Sequence, residues 1–66
     1  MSTVNIAPFI KEYRRQYNLT QADFAKIVGV SPQAISKWER EQGYPDITLL
    51  PILATLLGCS VNDFFE

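Results

Sequence analysis

The stretch QADFAKIVGVSPQAISKWER, Gln21 to Arg40, constrains this chain more than any other. Two helical patterns meet there at Gly29. Before it, Ala22, Phe24, Ala25, Ile27 and Val28 supply the apolar residues of a short helix predicted for 20–28. Glycine ends that helix because left-handed backbone costs it no steric clash. Val30 tucks under the turn. Ser31 offers an oxygen to cap the next helix, and Pro32 suits a first helical position, where the missing N–H had no partner. The second helix is predicted for 32–41.

Wound at about 100° per residue, this second helix divides into two sides. Ala34, Ile35 and Trp38 share one side, with Glu39 at its edge. Gln33, Ser36, Lys37 and Arg40 share the other. The outer face therefore carries an amide, a hydroxyl and two cations, and no acid. Such side chains read base edges and hold phosphates. An amphipathic helix with a merely solvated face has the same layout, so composition alone leaves both readings open.

Spacing adds to the first reading. Gln21 opening the motif, Ala25 within the first helix, Gly29 at the turn, and Ile35 and Trp38 in the second helix together resemble the helix-turn-helix of the Cro and phage-repressor family. The resemblance runs from about Ile6 to Phe65. It implies an all-α fold, a compact five-helix lambda-repressor-like domain with the helix-turn-helix at its centre.

Sixty-six residues make one domain, 1–66, and a chain this short buries only a small core. A single cysteine, Cys59, excludes an internal disulfide and reads as a small buried hydrophobe. With no histidine, the chain offers no zinc site and no thiol–imidazole pair, so neither a metal nor another cofactor is expected. Scattered acids and unpartnered Ser and Cys residues give no catalytic constellation and no small-molecule substrate. No apolar run has the length of a membrane span, and the N-terminus has no signal-peptide pattern. The expectation is a cytoplasmic domain. The net charge of −1 opposes indiscriminate binding to nucleic acid, although Lys37 and Arg40 fall on the outer face of the motif while Asp46, Asp63 and Glu66 lie beyond it.

Taken in order, Met1–Val4 lacks any periodic pattern and reads as frayed. Asn5 caps a helix predicted for 5–17, with Pro8 in its first turn and Ile6, Ile10, Tyr13 and Tyr17 as the buried stripe. Phe9 lies at the edge of that stripe, and because the resembled family commonly has a polar residue there, the resemblance implies that Phe9 is partly exposed. Asn18 takes the left-handed terminal position, with Leu19 packing back. Thr20 and Asp23 form a capping-box-like pair opening the 20–28 helix. Beyond Arg40 the chain departs from the family, which places glycine where Glu41 stands. Gly43 is the next easy terminator, so the second helix is expected to run longer. Asp46 caps a helix predicted for 46–57, bent by an interior Pro51 and apolar over most of its circumference. Gly58 ends it, and Ser60 and Asp63 cap a last turn predicted for 61–65.

The resemblance also assigns roles. It implies sequence-specific binding to double-stranded DNA by a bacterial or phage transcriptional regulator, with the helix from Pro32 in the major groove. Base reading falls to Gln33, Ser36 and Lys37, with Gln33 suiting adenine and Lys37 suiting guanine. Phosphate contacts fall to Gln21, Arg40, Gln42 and Tyr44, although Tyr44 would equally well pack on the core. Arg14 and Glu39 are implied to pair. One helix reads only a few base pairs, so a homodimer on a pseudo-palindromic operator is expected. The alternative is a protein-interaction module on the same fold, of antitoxin or anti-repressor type. It would present Phe9, Leu49, Ile52 and Phe65 to a partner.

Overall fold

The computed structural model describes residues 4–65. The expectation of fraying at residues 1–3 lies outside them, as does Glu66. Four α-helices follow one another: α1, Ala7–Tyr17; α2, Gln21–Val28; α3, Pro32–Glu39; and α4, Leu50–Leu57. Two 3-10 turns accompany them, Ile47–Leu49 before α4 and Val61–Phe64 after it. The described residues contain no strand beyond a single antiparallel bridge between Val4 and Phe65.

Local chemistry explains most boundaries. Asn18, at φ 55°, ends α1 in left-handed backbone, and the Leu19 N–H returns to the Arg14 carbonyl at 2.8 Å. Thr20 and Asp23 form a reciprocal box, each side chain accepting from the other's backbone N–H at 3.0 Å. Gly29, at φ 90°, carries the turn, and Ser31 Oγ accepts from the Ala34 N–H at 3.2 Å.

Six expectations need correction. Helix α1 begins at Ala7 rather than Asn5, and its capping position is Ile6, which has no capping side chain. The Asn5 N–H instead donates to the Phe64 carbonyl, so the chain there is tied to the last turn. Tyr17 is 58% exposed rather than buried. Tyr13 takes the place against Phe24, with ring centroids 5.6 Å apart, and Tyr17 is left to lie on Tyr13 at 4.7 Å.

The predicted 46–57 helix is two elements. Pro51 stands in the first turn of α4, where no hydrogen bond is lost, and the residues before it form a 3-10 turn capped by Asp46. Nor is this segment buried all round. Leu50, Leu53 and Ala54 enter the core, whereas Ile47 is 76% and Ile52 57% exposed. The fifth helix is a four-residue 3-10 turn, since Asp63 bonds back to Ser60 at 3.0 Å and Phe65 to Asn62 at 3.1 Å, each three residues away.

The remaining correction concerns the end of α3. The helix stops at Glu39 and does not run on toward Gly43. Glu41 itself adopts left-handed backbone at φ 58°. Its N–H bonds to the Trp38 carbonyl at 3.2 Å, and the Gln42 N–H to the Lys37 carbonyl at 2.9 Å. That nested pair closes a helix end, and glycine is its usual occupant.

Each helix contributes to one core: Ile6 beside Ile10 from α1, Phe24 and Ala25 from α2, Ile35 and Trp38 from α3, the α4 residues above, and Phe64 from the last turn. Phe64 is fully buried and meets the half-buried Phe9 edge-on at 5.3 Å. Helix α3 rests on α2 and α1, so its opposite face is turned outward.

Candidate nucleic-acid interface

Ile35 is fully buried and Trp38 6% exposed, which fixes the rotation of α3 about its axis. The residues opposite them are then presented outward. Gln33, Lys37 and Arg40 are exposed, and Ser36 is half-buried between them. Arg40 Nε donates to the Ser36 carbonyl at 3.2 Å, laying the guanidinium along this face. Gln42 and Tyr44 follow in the adjoining segment, both exposed, with Tyr44 55% so. Tyr44 therefore stands clear of the core, one of the two positions open to it. The Gly43 backbone passes close to Lys37: a methyl group at Gly43 would lie 3.6 Å from Lys37 Cβ.

Behind α3 lies an ionic clasp. Arg14 Nη1 donates to both carboxylate oxygens of Glu39 at 3.0 Å, and Gln21 Nε2 donates to Glu39 Oε1 at 3.1 Å. Glu39 is 6% exposed, so a lone carboxylate there would carry a heavy desolvation cost. Three helices meet in this cluster, which holds α3 against both α1 and α2. The bond from Gln21 was not anticipated. Gln21 opens α2 and is half-buried, so one amide hydrogen serves Glu39. Only the second hydrogen and the carbonyl oxygen are left for anything outside.

Two carboxylates outside the clasp are held low by their caps. The Thr20 backbone N–H depresses the Asp23 pKa, and the Thr48 backbone N–H depresses that of Asp46. Burial pushes the Cys59 thiol up, and Asp63 adds to the rise, so Cys59 stays a neutral, half-buried side chain. Among the described residues no three metal-binding side chains gather.

Two other features lie away from α3. A cleft of about 550 Å³ runs between α1 and the last turn, with Phe9, Glu12, Tyr13, Leu57 and Asp63 in its wall. A shallow apolar hollow on α4 is formed by Pro51, Ile52, Thr55 and Leu56. Of the residues expected to meet a partner, Ile52 and Phe65 are exposed, whereas Phe9 and Leu49 are half-buried against the core. No described helix is long and apolar enough to cross a membrane.

Comparison with known proteins adds to this geometry. The helix-turn-helix family profile matches residues 10–64. An uncharacterised helix-turn-helix-type transcriptional regulator of Methanocaldococcus jannaschii is 39% identical over 56 residues, covering 85% of each chain. Repressor protein C2 of Salmonella phage P22 is 38% identical over 60 residues, 91% of this chain but only 28% of that protein. The crystal structure of the P22 c2 repressor with a synthetic operator superposes with a TM-score of 0.76, at 35% identity, over 94% of both chains. The fold also recurs in hydroxypropylphosphonic acid epoxidase from S. wedmorenis, at a TM-score of 0.72 and 26% identity. There the match spans 98% of this chain and only 35% of the enzyme.

Proposed function

The chain belongs to the helix-turn-helix family of transcriptional regulators, and from that membership we propose that it reads double-stranded DNA by placing α3 in the major groove. One observation carries the proposal. The outward face of α3 holds Gln33, Ser36, Lys37 and Arg40 without an acid, on a helix whose rotation is set by Ile35, Trp38 and the clasp at Glu39. A reading helix must be fixed in just this way, because base-edge hydrogen bonds tolerate little misplacement.

Gln33 and Lys37 carry the base contacts, with Ser36 between them. An amide bonds in pairs to adenine, and an ammonium suits guanine O6 and N7. Arg40, Gln42 and Tyr44 meet phosphates, as does Gln21 through whichever amide atoms Glu39 leaves free. Binding to a synthetic operator by the P22 c2 repressor, whose structure superposes over 94% of this chain, supports this reading. Two copies then occupy half-sites about one helical turn apart. The exposed Ile52 in its apolar hollow supports a contact between copies on α4.

That same exposed apolar surface favours a second reading, a protein-interaction module. The test selects a preferred site from a random duplex library, then measures stability and binding together. Gln33→Ala and Lys37→Ala should stay folded, each losing about 1–3 kcal/mol on the preferred site and relaxing the choice at one base pair. Arg40→Ala should weaken all duplex DNA alike and lower the salt slope by about one unit. If folded Gln33→Ala and Lys37→Ala bind as tightly as the parent, α3 does not read DNA. The interaction module would then replace the proposal.

A further inference from the structure

At the C-terminal end of α3, Glu41 occupies its position against two separate unfavourable effects. Its backbone is left-handed at φ 58°, a conformation that L side chains rarely adopt. Its carboxylate also stands just beyond a helix C-terminus, where unpaired carbonyls already concentrate negative charge. Glycine would remove both effects, and a neutral residue the second. Among the described residues no hydrogen bond or ion pair of the Glu41 side chain offsets them, and the side chain is exposed. A residue that folding disfavours twice, next to the surface proposed to meet DNA, calls for a reason outside folding.

Its neighbours indicate the reason. Arg40 precedes it on the outward face, Gln42 follows it, and the turn returns alongside Lys37, where Gly43 is packed. The segment assigned to phosphates thus carries an acid at its centre. We propose that Glu41 is an electrostatic brake on phosphate contact, lowering the domain's affinity for DNA of every sequence while the base-reading side chains stay intact. The inference rests on the DNA-reading proposal. Charge on the outward face of α3 and its following turn then sums to +1, from Lys37 and Arg40 against Glu41, which leaves recognition dependent on base contacts and on a second copy.

The experiment compares the parent chain with E41Q, which keeps the side-chain shape and removes the charge. Binding to the selected duplex and to a scrambled duplex is followed from about 50 mM to 500 mM salt, beside urea melts of both proteins. E41Q should bind both duplexes roughly two- to fivefold more tightly at low salt, the worth of one unit charge within about 10 Å of phosphate in water. The gain should vanish at the high end, where screening shortens the reach of charge to roughly 4–5 Å. Equal affinities across the series overturn the brake. So does a gain that survives high salt, which would mark better packing. Weaker binding with a changed base preference also overturns it, by making Glu41 a reader of cytosine. A parent that binds neither duplex overturns the DNA-reading proposal as well, whereas a binding parent with an unchanged E41Q overturns this inference alone.

Discussion

Replacing Glu39 with glutamine tests how much of the domain's stability resides in the clasp behind α3. The substitution keeps the shape of the side chain and one carbonyl oxygen. It removes the charge that Arg14 meets with two contacts at 3.0 Å, and it disturbs the bond from Gln21 at 3.1 Å. Breaking a fully buried pair costs about 3–5 kcal/mol, and an exposed one about 0–1. This pair lies between those limits, because Glu39 is 6% exposed while Arg14 keeps 24% of its side-chain surface. Water screens the Arg14 end, and Arg14 Nε is buried with no partner, so the pair is imperfectly satisfied as it stands. We expect Glu39→Gln to lose about 2 kcal/mol. At about 4–8 °C per kcal/mol for a domain of this size, the melting temperature should fall by roughly 8–16 °C. Urea melts of the parent, Glu39→Gln, Arg14→Met and the double variant close a cycle. The coupling should exceed about 1 kcal/mol. A Glu39→Gln loss within about 0.5 kcal/mol, or a coupling near zero, would refute the reasoning and leave the pair with the energetics of a surface contact.

Three further outcomes follow from other parts of the chain. Glu41→Gly relieves left-handed strain of about 1–2 kcal/mol and gives back about 0.5–1 through greater freedom of the unfolded chain, so thermal melts should show a net gain of roughly 0.5–1. The folded-state pKa values of Asp23 and Asp46 lie below the ordinary 3.8, so their contribution is fully present above about pH 4 and is lost as pH falls through the depressed values. Acid melts of Asp23→Asn and Asp46→Asn should accordingly show a shallower decline below pH ~4 than the parent. Finally, Ile52→Asp should leave the fold intact, because Ile52 is 57% exposed, and should weaken paired occupancy of a two-half-site duplex. Unchanged cooperativity in a titration of that duplex would remove α4 from the contact between copies.

Where structure follows from chemistry within a few residues, the sequence disclosed it. The Thr20–Asp23 box, the Ser31 cap, the left-handed Asn18 and the Gly29 turn each depend on a side chain and a backbone group at most three or four residues apart. The outward face of α3 was legible for the same reason, since helical period alone separates Gln33 and Lys37 from Ile35 and Trp38. Part of what escaped depends on contacts from farther along the chain. Asn5 was read as a cap because nothing nearby reveals that its N–H is taken by Phe64. Tyr17 has the period of the buried stripe, but Phe24 is already covered by Tyr13. Pro51 reads equally well as a kink or as a helix start, and only the turn set by Asp46 and Thr48 decides. At Glu41 local propensity misled outright: the turn closes where its hydrogen bonds require, two residues before the glycine that would have suited it.

The bridge between Val4 and Phe65 brings the chain in and out of the domain at a single point, with the Asn5 N–H fastened to the Phe64 carbonyl beside it. A domain joined this way can be spliced into a host loop without prying the loop apart, because the host sees two strand ends side by side. It can also be cut open elsewhere and its ends sewn together by a short linker. The stretch from Tyr44 to Ile47, exposed apart from the buried Pro45, offers one such opening, though it borders the proposed interface, whereas the connection at Asn18–Thr20 would sever α1 from the helices it braces. Permutants opened at these two places would separate the wiring of the chain from the architecture it builds.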